Sequence, residues 1–72
     1  MKTIDDKKEL QKLATAIKKH RISKGITQQE AYNDTGIHFA RIEQGNRNVN
    51  YLTLVKICRY FEIDPCEFFK EN

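Results

Sequence analysis

The 72-residue sequence lacks the features that mark several classes of protein. It has no apolar run near the ~20 residues that a membrane-spanning helix needs, and residues 1–6 do not form the apolar segment of a signal peptide. Two cysteines, Cys58 and Cys66, do not make a disulfide framework. We therefore expect a cytoplasmic protein with no membrane partner.

Residue sets that support metal binding or catalysis are also scarce. The two cysteines lie eight positions apart without a CxxC motif, and His20 and His38 are expected on other helices, which is not a zinc-site pattern. A nucleophilic thiol needs a base and an orienting group in one pocket, whereas Cys58 is expected on a core face. We expect no enzyme, no metal, no cofactor and no small-molecule ligand.

Composition predicts one small folded domain. Hydrophobic residues make up 39% and charged residues 32%, too apolar a balance for a disordered chain. The net charge of +3 is uneven, because residues 1–24 carry eight Lys or Arg against three Asp or Glu, while residues 25–50 and 51–72 are each at −1. The basic flank suits a polyanion, but it is equally typical of a solvated helix face.

A first helix is predicted from about Ile4 to Lys24, with Thr3 as its N-cap. Apolar side chains recur along it every three or four residues, at Leu10, Leu13, Ala14 and Ile17. The next position on this stripe is Arg21, which must be paired or must extend past the core to solvent. Gly25 then supplies the left-handed conformation in which many helices end.

A second and a third helix are predicted within residues 27–45. The spacing of Thr27 and Glu30 is that of a capping box, so the second helix begins directly after Thr27. Gly36 is placed to make the turn, and His38 caps or begins a third helix that ends at Gly45. Two short helices joined by a glycine turn are typical of a helix-turn-helix unit.

Two more helices complete an all-α prediction. Asn50 caps a fourth helix, whose apolar positions are Leu54, Val55, Cys58 and Phe61. A fifth begins with Asp64 as N-cap and Pro65 at the first helical position. With no strand signal, we predict one compact five-helix domain over residues 1–72, with its core in residues 10–69.

The order of these segments resembles the lambda-repressor-like helix-turn-helix family, which includes the phage repressors, Cro and Xre-like proteins. The resemblance spans residues 10–69, about five-sixths of the chain, and depends on several short segments together. These segments are residues 17–21, 25–28, 41–48, 51–54, 63–65 and 67–69. The resemblance implies a transcriptional regulator that binds double-stranded DNA through residues 27–45, as a homodimer on two half-sites.

The resemblance also implies which residues contact DNA. They lie at the start of the second helix, on the third helix and in the loop after it: Thr27, Gln28, His38, Ala40, Arg41, Gln44, Asn46, Arg47 and Asn48. Arg41 either forks onto guanine O6 and N7 or contacts a phosphate or an acidic side chain. His38 either touches DNA or only caps its helix. Arg21 and Glu43 match a structural ion pair between the first and third helices.

The third helix departs from the family pattern. Only nine residues separate Gly36 from Gly45, about three fewer than is usual in the family and close to one helical turn. Either the gap falls just after His38, or the second helix is the short one and Asp34 caps a longer third helix. We favour the first, because Thr27 has a strong capping box and Gly36 belongs in a turn. The alternative function is a protein-interaction module, antitoxin-like or anti-repressor, with weak or no DNA binding.

Aromatic residues are concentrated near the C-terminal end. Five of the seven lie in residues 51–72: Tyr51, Tyr60, Phe61, Phe68 and Phe69. A domain of this size cannot easily bury all of them, so some are expected to meet a second copy. We predict a homodimer interface that includes Tyr51, Tyr60, Phe68 and Phe69.

Overall fold

The computed structural model describes residues 5–70 of the chain, which contain five α-helices and no strand. The helices are α1 (Asp6–Ser23), α2 (Gln28–Thr35), α3 (Phe39–Ile42), α4 (Tyr51–Tyr60) and α5 (Pro65–Phe68). The predicted all-α class and the order of the five helices are confirmed. None of these helices has the length and apolar character that crossing a membrane requires.

The N-terminus of α1 differs from the prediction. Asp5 is the N-cap, and its carboxylate accepts a hydrogen bond of 3.3 Å from the Lys8 amide. An aspartate both caps the first turn and places a negative charge at the positive end of the helix dipole. The predicted cap, Thr3, and the predicted start at Ile4 lie outside the described residues. At the other end Gly25 has the expected positive φ of 69°.

The predicted capping box of α2 is present. Thr27 Oγ1 accepts from the Glu30 amide at 3.0 Å, and Glu30 Oε1 accepts from the Thr27 amide at 3.3 Å. Gly36 ends the helix with a φ of 76°, and its N–H donates to the Tyr32 carbonyl. A side chain with a Cβ is strained in this left-handed conformation, so the glycine fixes where α2 stops.

Helix α3 is shorter than predicted, with four residues that end at Ile42 rather than at Gly45. Phe39 and Ile42 are both buried, so the helix is anchored at its two ends. The chain then turns through Gly45, whose φ is 88° and whose Cα lies so close to α1 that an added Cβ would be 3.6 Å from Gln11 Cγ. Helix α2 keeps eight residues and ends at Gly36, so Asp34 does not cap a longer third helix.

Every helix contributes to one core. Among the buried side chains are Ile17 of α1, Ala31 of α2, Phe39 of α3, Ile57 of α4 and Phe68 of α5. Full burial of a large apolar side chain stabilises a fold by about 1.5–3 kcal/mol. The short helices α3 and α5 are therefore held mainly by buried side chains, Phe39 and Ile42 in α3 and Phe68 in α5, rather than by their own hydrogen bonds.

The burial of Phe68 contradicts its predicted place in a dimer interface. Its side chain is 1% exposed, and the His20 ring stacks on it at 5.1 Å. Tyr60 is half-buried, and its hydroxyl donates to Asp34 at 2.6 Å. Of the four predicted interface residues, Tyr51 and Phe69 are the exposed ones, at 76% and 47%.

Candidate nucleic-acid interface

A buried ion pair holds α3 against α1. Arg21 donates from Nε to Glu43 Oε2 at 2.8 Å and from Nη2 to Oε1 at 2.9 Å. The Glu43 side chain is 4% exposed and that of Arg21 is 11%. The hydrogen bonds to Glu43 raise the pKa of Arg21, against the opposing effect of burial. The pair that the resemblance implied is thus present, and it fixes the residue that directly follows α3.

Two more hydrogen bonds join this pair to α2. Arg21 Nη1 donates to the Ile26 carbonyl at 2.8 Å, in the loop between α1 and α2. Gln28 Nε2 donates to Glu43 Oε1 at 3.1 Å. The first turn of α2 and the end of α3 therefore meet at one carboxylate. Because an amide NH2 group has two donors, Gln28 retains one that can bind a phosphate oxygen.

The outward side of α3 carries the residues that were predicted to face a groove. Ala40, Arg41 and Gln44 are exposed, whereas Phe39 and Ile42 on the other side are buried. Arg41 has no ion-pair partner among the described residues. Its guanidinium is therefore available for an external acceptor. All nine residues predicted to contact DNA are exposed.

His38 occupies the N-cap position of α3, but its side chain makes no capping hydrogen bond. Its ring instead lies against Tyr32 of α2, with the ring centroids 4.6 Å apart. Both side chains are exposed. His38 therefore caps α3 by position, one of the two alternatives that the sequence left open, but without a side-chain hydrogen bond. The ring supports the turn between α2 and α3 and leaves its nitrogens open to solvent.

The loop after α3 is polar at its exposed positions and anchored at one apolar position. Asn46, Arg47 and Asn48 are exposed, while Val49 is partly buried against the core. Asn50 then caps α4, accepting from the Thr53 amide at 2.8 Å. An anchored loop of this kind presents side chains and backbone amides to a polyanion with little loss of conformational entropy on binding.

Part of the basic flank lies beside the end of α3, which was not predicted. A groove of about 590 Å³ separates α1 from the end of α3, and Lys18, Lys19 and Ile22 line it opposite Gln44. Lys18 stands three residues before Arg21, on the same side of the helix. The predicted bond of Arg21 to the third helix was therefore the signal that could have placed Lys18 there.

Residues 5–70 contain no group of three or more His, Cys, Asp or Glu side chains placed to hold a metal ion. Cys58 is buried, and this burial raises the pKa of its thiol, which favours the unreactive protonated form. Comparison with the models of known protein families and with curated protein sequences finds no match to this chain. What supports a function is therefore the geometry of the α2–α3 surface itself.

Proposed function

We propose that the chain is a sequence-specific DNA-binding transcriptional regulator with a lambda-repressor-like helix-turn-helix domain. The observation that carries the proposal is the two-sided character of α3. Its inner side is held by Phe39, Ile42 and the Arg21–Glu43 pair, and its outer side presents Ala40 and Arg41 to solvent, with exposed Gln44 in the turn that follows. A recognition helix needs this rigid support, because base contacts require side chains held in a fixed direction.

In this proposal α3 enters the major groove and α2 crosses the DNA backbone. Arg41 reads a guanine, and the Ala40 methyl group packs on a thymine methyl. Gln28, Arg47 and Lys18 contact phosphates, which fixes the orientation of the domain without reading sequence. The exposed positions of all five side chains support these roles.

The protein acts as a homodimer on two half-sites in this proposal, since one domain with so short a recognition helix contacts few bases. Tyr51 and Leu52 support a dimer contact at the start of α4, because they are adjacent and 76% and 67% exposed. Phe69 is less suitable. Lysines surround it, and a two-fold contact centred there would bring like charges together.

The first test is binding to duplex DNA as a function of salt concentration. A site enriched from random duplexes is compared with a shuffled duplex, at several salt concentrations. If the protein contacts several phosphates, the logarithm of its binding constant falls with the logarithm of the salt concentration, with a slope of about −0.9 for each phosphate neutralised. A protein that enriches no site and binds duplex without this slope is not a DNA-binding regulator.

Two arginine substitutions then separate sequence reading from backbone contact. Arg41→Ala is expected to cost about 1–3 kcal/mol at the selected site and to relax specificity at one position. Arg47→Ala is expected to weaken binding to both duplexes alike and to lower the salt slope by about one. Arg59→Ala is the matched control. This exposed arginine lies about 14 Å along α4 from Asn50, the cap that follows the loop of Arg47, so it is far from the proposed DNA contacts. Equal losses at both duplexes for Arg41→Ala would assign sequence reading to another residue.

One observation favours a second function, a protein-interaction module on the same scaffold. Helix α3 has four residues, so it rises only about 6 Å, which limits how many side chains meet base edges. An antitoxin-like or anti-repressor protein does not need a long recognition helix. Complete loss of duplex binding at low salt, with the fold intact, would favour this function.

A further inference from the structure

A trough between α1 and α5 combines an apolar floor with a basic rim. We name it the α1–α5 trough; its volume is about 810 Å³. The residues that matter below are Ala16, Phe68 and Phe69 on the floor and Lys8, Lys12 and Lys19 on the rim. None of these six residues is assigned to DNA above. Lys19 also lines the groove beside Gln44.

The floor of the trough carries an aromatic side chain that residues 5–70 cover only in part. Phe69 is 47% exposed, and it meets the buried Phe68 edge-on, with the ring centroids 4.9 Å apart at an interplanar angle of 88°. The contact with Phe68 supports one side of the Phe69 ring. A partly exposed aromatic side chain is the kind of anchor that often dominates binding energy at protein interfaces.

The rim is strongly biased to positive charge. Among residues 5–70, Lys8, Lys12, Lys19 and Lys70 line the trough together with one acidic residue, Glu9. Glu9 pairs with Lys12 at 3.8 Å, but both side chains are more than half exposed, so this pair is easily exchanged for another. The three rim lysines of α1 span eleven positions, about 16 Å along the helix, which equals three turns of a second helix.

We propose that the α1–α5 trough binds an acidic amphipathic helix of a partner protein, about three turns long. Apolar side chains of that helix pack on Phe69 and Ala16, and its carboxylates pair with Lys8, Lys12 and Lys19. Recognition of an amphipathic helix in a groove uses this combination of apolar anchors and flanking charge. The proposal does not rest on the proposed function, because its evidence is the apolar floor and basic rim of the trough, and Lys19 is the one of its six named residues that also lines the groove beside Gln44.

The chemistry of the trough disfavours other occupants. Its rim residues and Phe69 are exposed, so it would leave much of a small molecule in contact with water, unlike pockets that enclose their ligands. Duplex DNA would use the lysines but not the half-exposed ring of Phe69. A second copy would place lysines opposite lysines. Charge complementarity therefore selects an acidic helix.

The test uses the full chain and a fluorescent probe peptide. The probe is a capped 14-residue peptide with leucine at positions 2, 5, 6, 9, 12 and 13 and glutamate at all others. A peptide of the same composition with scrambled order is the control. Fluorescence anisotropy is expected to give at least tenfold tighter binding for the probe than for the scrambled peptide. Equal binding would overturn the proposal, since recognition would not depend on a helical face.

Variants then locate the site. Phe69→Ala and Lys12→Glu are each expected to weaken probe binding at least fivefold. Lys56→Glu is the matched control, because it makes the same charge change at an exposed lysine outside the trough, and it is expected to bind as the wild type does. Melting curves show whether each variant is folded. Unchanged binding by a folded Phe69→Ala variant would refute the site.

Three further measurements distinguish other occupants. Amide chemical shifts on probe addition are expected to change at residues 8–20 and 68–70, and changes centred on residues 41–48 would overturn the assignment. A wild-type dimer that Phe69→Ala converts to a monomer would show that a second copy fills the trough. Binding to phosphatidylglycerol vesicles that depends on Phe69, without binding of the probe, would show a lipid surface instead. Either result refutes the proposed partner.

Discussion

Removal of the Glu43 carboxylate tests the contact on which the α2–α3 surface depends. In Glu43→Ala the Arg21 guanidinium, 11% exposed in its side chain, keeps only the Ile26 carbonyl as a partner. Breaking a buried ion pair in this way typically costs about 3–5 kcal/mol, because the remaining charge is unpaired. Since Arg21 lies at the edge of the core, where it gains some solvent, we expect about 3 kcal/mol.

That loss is large for a domain of this size. Folded domains are stabilised by roughly 0.05–0.15 kcal/mol per residue, or about 4–11 kcal/mol for this chain. Each kcal/mol lowers the melting temperature of such a domain by roughly 4–8 °C. Glu43→Ala is therefore expected to melt more than 10 °C below the wild type, by circular dichroism at 222 nm, and to show a matching decrease in the urea midpoint.

Two control variants identify the cause. Glu9→Gln removes the exposed partner of Lys12 and is expected to change stability by less than about 1 kcal/mol. The double variant Arg21→Met, Glu43→Leu removes both charges and should recover most of the lost stability. A Glu43→Ala variant within about 0.5 kcal/mol of the wild type would refute the argument, since the pair would then contribute no more than a surface contact.

Two further predictions concern titrating side chains. The hydrogen bond to Asp34 raises the pKa of Tyr60 to about 12 from its ordinary 10.0, so the unfolded chain loses this proton first. The stability from this bond is therefore fully present below pH 10 and decreases as the pH rises toward 12. Tyr60→Phe should remove this part of the decrease when the free energy of unfolding is measured in urea at several pH values. Parallel plots of free energy against pH for the two proteins would contradict the prediction. Exposed Cys66 should react quickly with Ellman's reagent in the native protein. Cys58, which is buried and whose pKa is raised by burial, should react only on unfolding. Two thiols that react equally fast would contradict the burial of Cys58.

The sequence predicted the helices best where a local rule fixes an end. The capping box at Thr27, the turn at Gly36, the Asn50 cap and the Asp64–Pro65 start all occur as expected. These features depend on hydrogen bonds or φ angles within a few residues of one another, so they are encoded in short segments. The Arg21–Glu43 contact spans 22 positions, and only the family resemblance made it predictable.

Features set by packing between distant segments were not predicted. Phe68 and Phe69 are adjacent aromatics, and no pattern in the sequence tells which one enters the core; the position of α5 against α1 buries Phe68 and exposes Phe69. The end of α3 was also not predicted. A helix to Gly45 was locally reasonable, but α3 ends at Ile42 and the chain turns through Gly45 beside Gln11 of α1.

Helix α1 links the two proposed binding surfaces. Gln11, Thr15 and Lys19 line both the groove beside Gln44 and the α1–α5 trough, so they form a shared ridge between them. If an acidic helix occupies the trough, its carboxylates neutralise Lys19 and repel a DNA backbone on the other side of the ridge. Coupling between binding sites is reciprocal, so bound DNA must weaken the partner by the same factor. One shared lysine corresponds to about one phosphate contact, so a partner acting only through this ridge modulates DNA binding rather than abolishing it.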